Sequence, residues 1–309
     1  MIPFPRLVPF VVVALWIKCS TTSAAETFRV ATYNLENYLE EAIGTRPAKS
    51  SEGKAKIRES LRALNADVVA LQEVGGEKAL FELRDSLRKE GLHYPHWEIV
   101  HGWDTNIQVA VLSKLPIIAS RPHTNESFLL FGRRFHVSRG FAEIDLQLKT
   151  GYAFTLITTH LKSRRPVPEA DEAELREEEA ILLRKTIDAR LTSNPDANLV
   201  VLGDLNDVKD SKSTRAVLGR GRNALIDTRP AERNGDNQPN PDPRYEPRNV
   251  TWTHHFGKED TYSRIDYLLL SRGMAREWDT NGTFVLAHPN WGVGSDHRPI
   301  VATFFAEDR

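Results

Sequence analysis

The sequence predicts an α/β fold in which two mixed β-sheets pack face to face with helices on their outer faces. Three observations carry this expectation: strand-like runs outnumber helical ones, the two kinds alternate irregularly, and no linker or repeat divides the chain. Strands are expected at 28–34, 67–72, 96–100, 107–113, 140–147, 153–160, 198–203, 250–254, 264–270, 283–287 and 299–305. Within them the runs 28–31, 68–71, 153–157 and 199–202 are short, rich in β-branched residues and long enough for buried strands. Helices are expected at 53–64, 77–90 and 170–192. In the last, Ala180, Leu183, Ile187 and Leu191 recur at helical spacing, so Glu177, Glu178 and Glu179 are expected to face water. The acidic stretch 169–174 lies toward the start of that helix, where negative charge suits the helix dipole, and reads as a solvated helix start rather than a binding tail. Residues 229–249 hold five prolines and cannot form a strand or helix interior, so they read as a surface loop beside the functional site.

The first 25 residues read as an export leader. Arg6 gives a positive start, residues 7–17 are apolar apart from Pro9, and Ser23-Ala24-Ala25 places small residues at the cleavage positions. The apolar run is short for a membrane span, which disfavours a retained anchor. Lipidation at Cys19 is disfavoured by the bulky, charged Trp16-Ile17-Lys18 before it. The expected organisation is therefore a leader over 1–25 and one domain over 26–309, in a secreted or periplasmic protein. Cys19 is the only cysteine, so the mature domain has neither disulfide nor thiol chemistry and must rely on a large core. The formal net charge of −1 becomes −3 once Arg6 and Lys18 are removed. No global basicity marks a nucleic-acid binder. No stable protein partner is implied, and a monomer is expected.

Six short polar motifs follow or interrupt the apolar runs: Thr32-Tyr33-Asn34-Leu35-Glu36-Asn37, Leu71-Gln72-Glu73-Val74, Thr158-Thr159-His160-Leu161-Lys162-Ser163, Gly203-Asp204-Leu205-Asn206-Asp207, Arg264-Ile265-Asp266-Tyr267 and Ser295-Asp296-His297-Arg298-Pro299. They place polar groups at strand ends, where sheet proteins usually build sites. Together they supply the residue types needed to hold a hard divalent cation, position a water and protonate a leaving oxygen. Taken singly, each is as well explained by a turn or a surface loop.

In this order the motifs resemble the endonuclease/exonuclease/phosphatase superfamily, over residues 28–305. The resemblance implies a four-layer α/β sandwich and hydrolysis of a phosphoric ester with Mg²⁺, or Mn²⁺, as cofactor. Glu73 is then the first metal ligand, with Asn34 either ligating or holding Glu73, and Asp296 near the metal through a bond or a water. Glu36 is a further possible ligand, as in the abasic-endonuclease branch. Asp204 aligns or deprotonates the attacking water, and Asn206 hydrogen-bonds the phosphate. Asp266 is the carboxylate partner of His297, which touches the scissile phosphate; such a partner would raise the imidazole pKa and fix the ring. His160 donates to the leaving or phosphoryl oxygens, as in the deoxyribonuclease branch, and counts against the abasic-endonuclease branch, which has Tyr there. Arg139 resembles a phosphate-contacting arginine. Lys162, Arg164 and Arg165, with Arg133 and Arg134, either bind further phosphates or are ordinary loop charges. Asp207 has no assignment. The remaining histidines, His254 among them, lack metal-ligand spacing and read as structural or surface residues.

The expected substrate is a phosphodiester, nucleic acid first. The alternative is a phosphomonoesterase or a lipid phosphodiesterase on the same scaffold. Ser263-Arg264-Ile265-Asp266 departs from the Trp-x-Asp-Arg signature of the inositol-phosphatase branch. No exposed aromatic hairpin of the kind expected for a sphingomyelinase is evident in the sequence. A non-catalytic binding module is disfavoured by the intact set Glu73, His160, Asp204, Asn206, Asp266 and His297.

Overall fold

In the computed structural model the chain is described over residues 26–149, 152–233, 242, 244 and 249–309. The expected leader and most of the 229–249 loop lie outside these residues. The strands are β1 (Thr27–Tyr38), β2 (Val68–Val74), β3 (His96–Val100), β4 (Gln108–Ser113), β5 (Ile117–His123), β6 (Ser127–Leu130), β7 (Arg133–His136), β8 (Phe141–Lys149), β9 (Tyr152–His160), β10 (Leu199–Asp204), β11 (Ile226–Asp227), β12 (His254–Phe256), β13 (Thr261–Ser263), β14 (Asp266–Leu270), β15 (Trp278–Val285) and β16 (Ile300–Phe305). The α-helices are α1 (Ser51–Leu64), α2 (Glu77–Lys89), α3 (Glu172–Ser193), α4 (Lys212–Leu218) and α5 (Arg272–Arg276).

Two six-stranded sheets result, ordered β15-β16-β1-β2-β4-β3 and β11-β14-β10-β9-β8-β5. Alternation along β1 shows why the layers form. Phe28 and Val30 enter a core shared with Val68, Val111, Ile144, Phe154, Val200 and Leu268 between the sheets. Ala31, Tyr33 and Leu35 point the other way, onto Ile57 and Leu61 of α1 and Leu80 and Leu83 of α2. On the far side, Ala180, Leu183, Ile187 and Leu191 of α3 cover Ile157, Val201 and Leu269. The layers therefore run helices, sheet, sheet, helices, as the sequence predicts. Each fully buried Leu, Ile or Phe stabilises this arrangement by about 2 kcal/mol.

The expectation for Glu179 is corrected. It is 1% exposed, and its carboxylate accepts from the Ser138 amide and hydroxyl (2.9 and 2.8 Å) and from the Lys162 amide (2.6 Å). Glu177 and Glu178 are half-buried. α3 is capped at its start by Asp171, whose side chain accepts from Ala173 and Glu174 amides. The strand expected at 250–254 lies at β12, and that expected at 283–287 is the end of the longer β15. β5, β6, β7, β11, β13, α4 and α5 were not foreseen.

The structure also supplies exposed apolar hairpins. β6 and β7 form one, leaving Leu129 63% and Phe131 78% exposed. β12 and β13 form another, with Phe256 and Tyr262 exposed.

Candidate active site

β1 and β2 run parallel while β16 is antiparallel to β1, so the ends of β1 and β2 and the entry to β16 share one edge. In the second sheet the ends of β9 and β10 and the start of β14 share an edge in the same way. The two edges meet. Asn34 Nδ2 donates to Asp204 Oδ2 at 3.0 Å, and beneath it Gln72 accepts from Thr32 (3.1 Å) and donates to Thr158 (3.3 Å). Asn34, Glu73, His160, Asp204, Asn206, Asp266, Asp296 and His297 thereby gather in one place.

The backbone there is unusual. Glu36, Asn37, Glu73 and Asn206 have φ of 47°, 56°, 63° and 54°, sparsely populated for residues with a side chain, and β2 slips register against both neighbours near Glu73. Such geometry clusters at functional sites, where surrounding structure holds it. Gly203 is required for a different reason. A Cβ there would lie 2.1 Å from the Thr159 carbonyl oxygen, which closes β10 onto β9 just before Asp204.

Asp204 is the hub. Its Oδ1 accepts from the Asn206 amide at 2.7 Å. Its Oδ2 accepts from Asn34 and from Asn206 Nδ2 (3.2 Å) and stands 3.5 Å from His160 Nε2 and 3.8 Å from His297 Nε2. Burial, then the nearby Asp266 carboxylate, pushes the Asp204 carboxyl up to about 7 against the pull of His297 and the two asparagines.

The two histidines differ. For His297, burial favours the neutral ring, but Asp266 bonded to Nδ1 at 2.8 Å, with Asp204 and Asp296 behind it, holds its pKa well above the ordinary value. His160 is held well below that value by burial first and by Arg139 next. His160 Nδ1 is buried without a hydrogen-bond partner, which places the proton of the neutral ring on Nε2, facing the carboxylates.

On the first-sheet side, Glu73 accepts from the Asn37 amide at 2.8 Å and, at 3.4 Å, from Asn34, whose Oδ1 accepts from the Glu36 amide. Asn34 Nδ2 thus lies between Glu73 and Asp204. The Glu36 carboxyl is raised by burial and then by Asp296, with Glu73 adding and Lys49 opposing. Asp296 and Glu73, close enough to raise the Glu36 carboxyl, give with it a set of acidic oxygens suited to a hard divalent cation. Glu73 and Asp296, with Glu36 at the margin, are the residues that would hold it.

The expectation for His254 is corrected: it belongs to this site. Its Nε2 lies 3.5 Å from Asp296 Oδ2, its ring centroid is 4.6 Å from that of His297, and ligand atoms of His254, Asp296 and His297 fall within 4.8 Å of one another. Asp204, Asp266 and His297 form a second such group. β12 is tied in through Thr253, whose hydroxyl accepts from the Ile265 and Asp266 amides. No spacing in the sequence announces this, because the hairpin that delivers His254 has only three residues on each strand.

Among the cations, Arg139 is buried, donates to the Leu161 carbonyl (3.4 Å) and lies 3.5 Å from Asp104. Lys162 turns back onto the carbonyls of Ser163 and Arg165. Arg164 braces the Asn206 carbonyl at 3.0 Å. Asp207 gains an assignment: it accepts from Arg176 (3.0 Å) and Ser213 (2.9 Å), pinning the loop after Asn206 to α3 and α4. Of the proline-rich loop's ends, Arg229 and Asn249 line a cleft with Lys209, Tyr262 and Arg264.

The profile of the Endonuclease/Exonuclease/phosphatase family matches residues 31–297. The chain belongs to this family. No curated protein matches it. Among solved structures it is similar to the human Nocturnin catalytic domain with bound sulfate, at 18% identity over 90% of this chain and 94% of that one, with a TM-score of 0.63. It is also similar to sphingomyelinase C from Streptomyces griseocarneus, at 20% identity over 90% and 99%, with a TM-score of 0.60. A third is truncated Caenorhabditis elegans TDP2, at 17% identity over 91% and 98%, with a TM-score of 0.58. At these identities the shared property is the fold. Family membership adds a phosphoric ester hydrolase that generally uses a divalent metal.

Proposed function

We propose that this chain is an exported, Mg²⁺-dependent phosphodiester hydrolase acting on nucleic acid. The observation that carries the reading is Asp204, placed between two histidines of opposite protonation preference. A divalent ion held by Glu73 and Asp296 would neutralise charge on the phosphate oxygens. Asp204 orients the attacking water and takes its proton. Protonated His297, kept upright by Asp266, donates to a nonbridging oxygen of the scissile phosphate. Asn206 holds Asp204 through its amide and its side-chain Nδ2. Neutral His160 offers its Nε2–H as a hydrogen bond to the leaving oxygen, which takes its proton from solvent as it departs. Export rests on the sequence pattern of residues 1–25, which reads as a leader.

A second reading, a lipid phosphodiesterase, is favoured by the exposed Leu129 and Phe131 on the β6–β7 hairpin, with Arg133 and Arg134 beside them. A substrate panel with Mg²⁺ separates the two: plasmid DNA, single-stranded RNA, bis-p-nitrophenyl phosphate, p-nitrophenyl phosphate and sphingomyelin. Cleavage of nucleic acid and of the small diester, with little monoester or sphingomyelin turnover, is expected. Preferred turnover of sphingomyelin or of the monoester overturns the nuclease reading.

A further inference from the structure

Trp103, between Gly102 and Asp104 that abut the Ser138–Arg139 stretch, has 64% of its surface exposed. One face of the indole lies flat on His136, ring centroids 3.9 Å apart and planes 5° apart. The residues around it are fixed against the stretch that carries Arg139. The Asp104 amide donates to the Ser138 carbonyl at 2.6 Å, and a Cβ on Gly102 would lie 2.3 Å from the Arg139 carbonyl carbon. Ser138 is in turn held by buried Glu179. An exposed ring this well anchored has little conformational freedom left to lose on binding.

Asp104, the residue after Trp103, faces an under-used cationic pair. Asp104 lies 3.5 Å from Arg139 Nε and 3.9 Å from Arg46 Nη2, both beyond good charge-assisted hydrogen-bond length. Arg139 is only 6% exposed, yet its Nε has no hydrogen-bond partner, and neither does buried Arg46 Nη1. A single carboxylate thus serves two guanidinium groups with donors to spare. Arg139 and Arg46 are also among the charges that, after burial, keep His160 neutral.

We propose that the Trp103–His136 stack is a platform for one nucleobase, and that Arg46 and Arg139 take the phosphate adjoining that base, which makes single-stranded nucleic acid the preferred substrate. This rests on the nuclease reading above and names its substrate form. A planar ring with one open face, followed in the chain by a carboxylate that holds two phosphate-type donors, matches a nucleotide. A base inside a duplex has no free face to offer, whereas an unpaired base does. A choline headgroup, which could also sit on an indole, would meet the repulsion of both arginines.

The test compares KM and kcat for a single-stranded oligodeoxynucleotide, an abasic oligomer of the same length and a duplex, using wild type, Trp103→Leu and Trp103→Phe with Mg²⁺. Base stacking is expected to give wild type about a 10-fold lower KM for the base-bearing strand than for the abasic one, with the duplex cut less efficiently. Trp103→Leu should erase most of that preference, and Trp103→Phe should keep most of it. A preference that survives in Trp103→Leu overturns the platform while leaving the nuclease reading in place. If wild type cuts none of the three, both fall together. If Trp103→Leu keeps the preference but loses binding to phosphatidylcholine vesicles, the ring is a lipid contact and the platform is overturned.

Discussion

Asp204→Asn is expected to lower kcat by a factor of at least about 10², with KM little changed, because the lost group acts on the water in the transition state. The substitution is nearly isosteric, and the amide oxygen still accepts from the Asn206 amide. Stability should move the other way. A carboxyl whose folded-state pKa is raised holds its proton more tightly when folded, so its ionisation costs stability at pH values above the unfolded value near 4. Asp204 is pushed up to about 7, largely by burial and by Asp266. The metal-free variant should therefore melt no lower than wild type at pH 8. A variant that loses activity and also melts well below wild type would make Asp204 a structural residue.

His297→Ala should likewise cost at least about 10² in kcat, since it removes the group proposed to meet the scissile phosphate. Asp266→Asn separates the presence of the imidazole from its orientation and charge. Its loss should be smaller, and the pH profile should change in a stated direction. Asp266 raises the His297 pKa, so in wild type the alkaline fall in activity lies well above the ordinary imidazole range. Without that carboxylate the alkaline limb should move to lower pH. The acid limb, set by Asp204, lies at or below about 7, because a bound cation favours its ionised form. An unmoved alkaline limb in Asp266→Asn would show that His297 is not the group titrating there.

The strand ends were the legible part of this protein. Asn34, Glu73, His160 and Asp204 each close an apolar run, and parallel pairing of β1 with β2 and of β9 with β10 brings those ends to common edges. Asp266 and the Asp296-His297 pair open the antiparallel strands that return to the same edges, so a pattern of runs and polar stops carried most of the site. What was not legible depends on contacts without period. Glu179 has the spacing of a solvated glutamate, but the amides of Ser138 and Lys162 draw its carboxylate into the protein and tie two site loops to α3. His254 arrives on a three-residue strand whose place is set by Thr253 and by a bridge to His297. The β6–β7 hairpin leaves no clear sequence signal because four residues on each side are too few to show alternation.

A divalent cation held by Glu73 and Asp296 is expected to be required for the ester cleavage proposed for Asp204 and His297. The most direct measurement is the rate of bis-p-nitrophenyl phosphate or oligonucleotide cleavage in excess chelator, followed by titration of Mg²⁺ or Mn²⁺ into wild type and Glu73→Ala. Activity should vanish with chelator and return with either ion, and Glu73→Ala should need a several-fold higher concentration for half its maximal rate. Full activity in excess chelator would show that no such cation takes part, and an identical ion requirement in Glu73→Ala would show that Glu73 does not hold it.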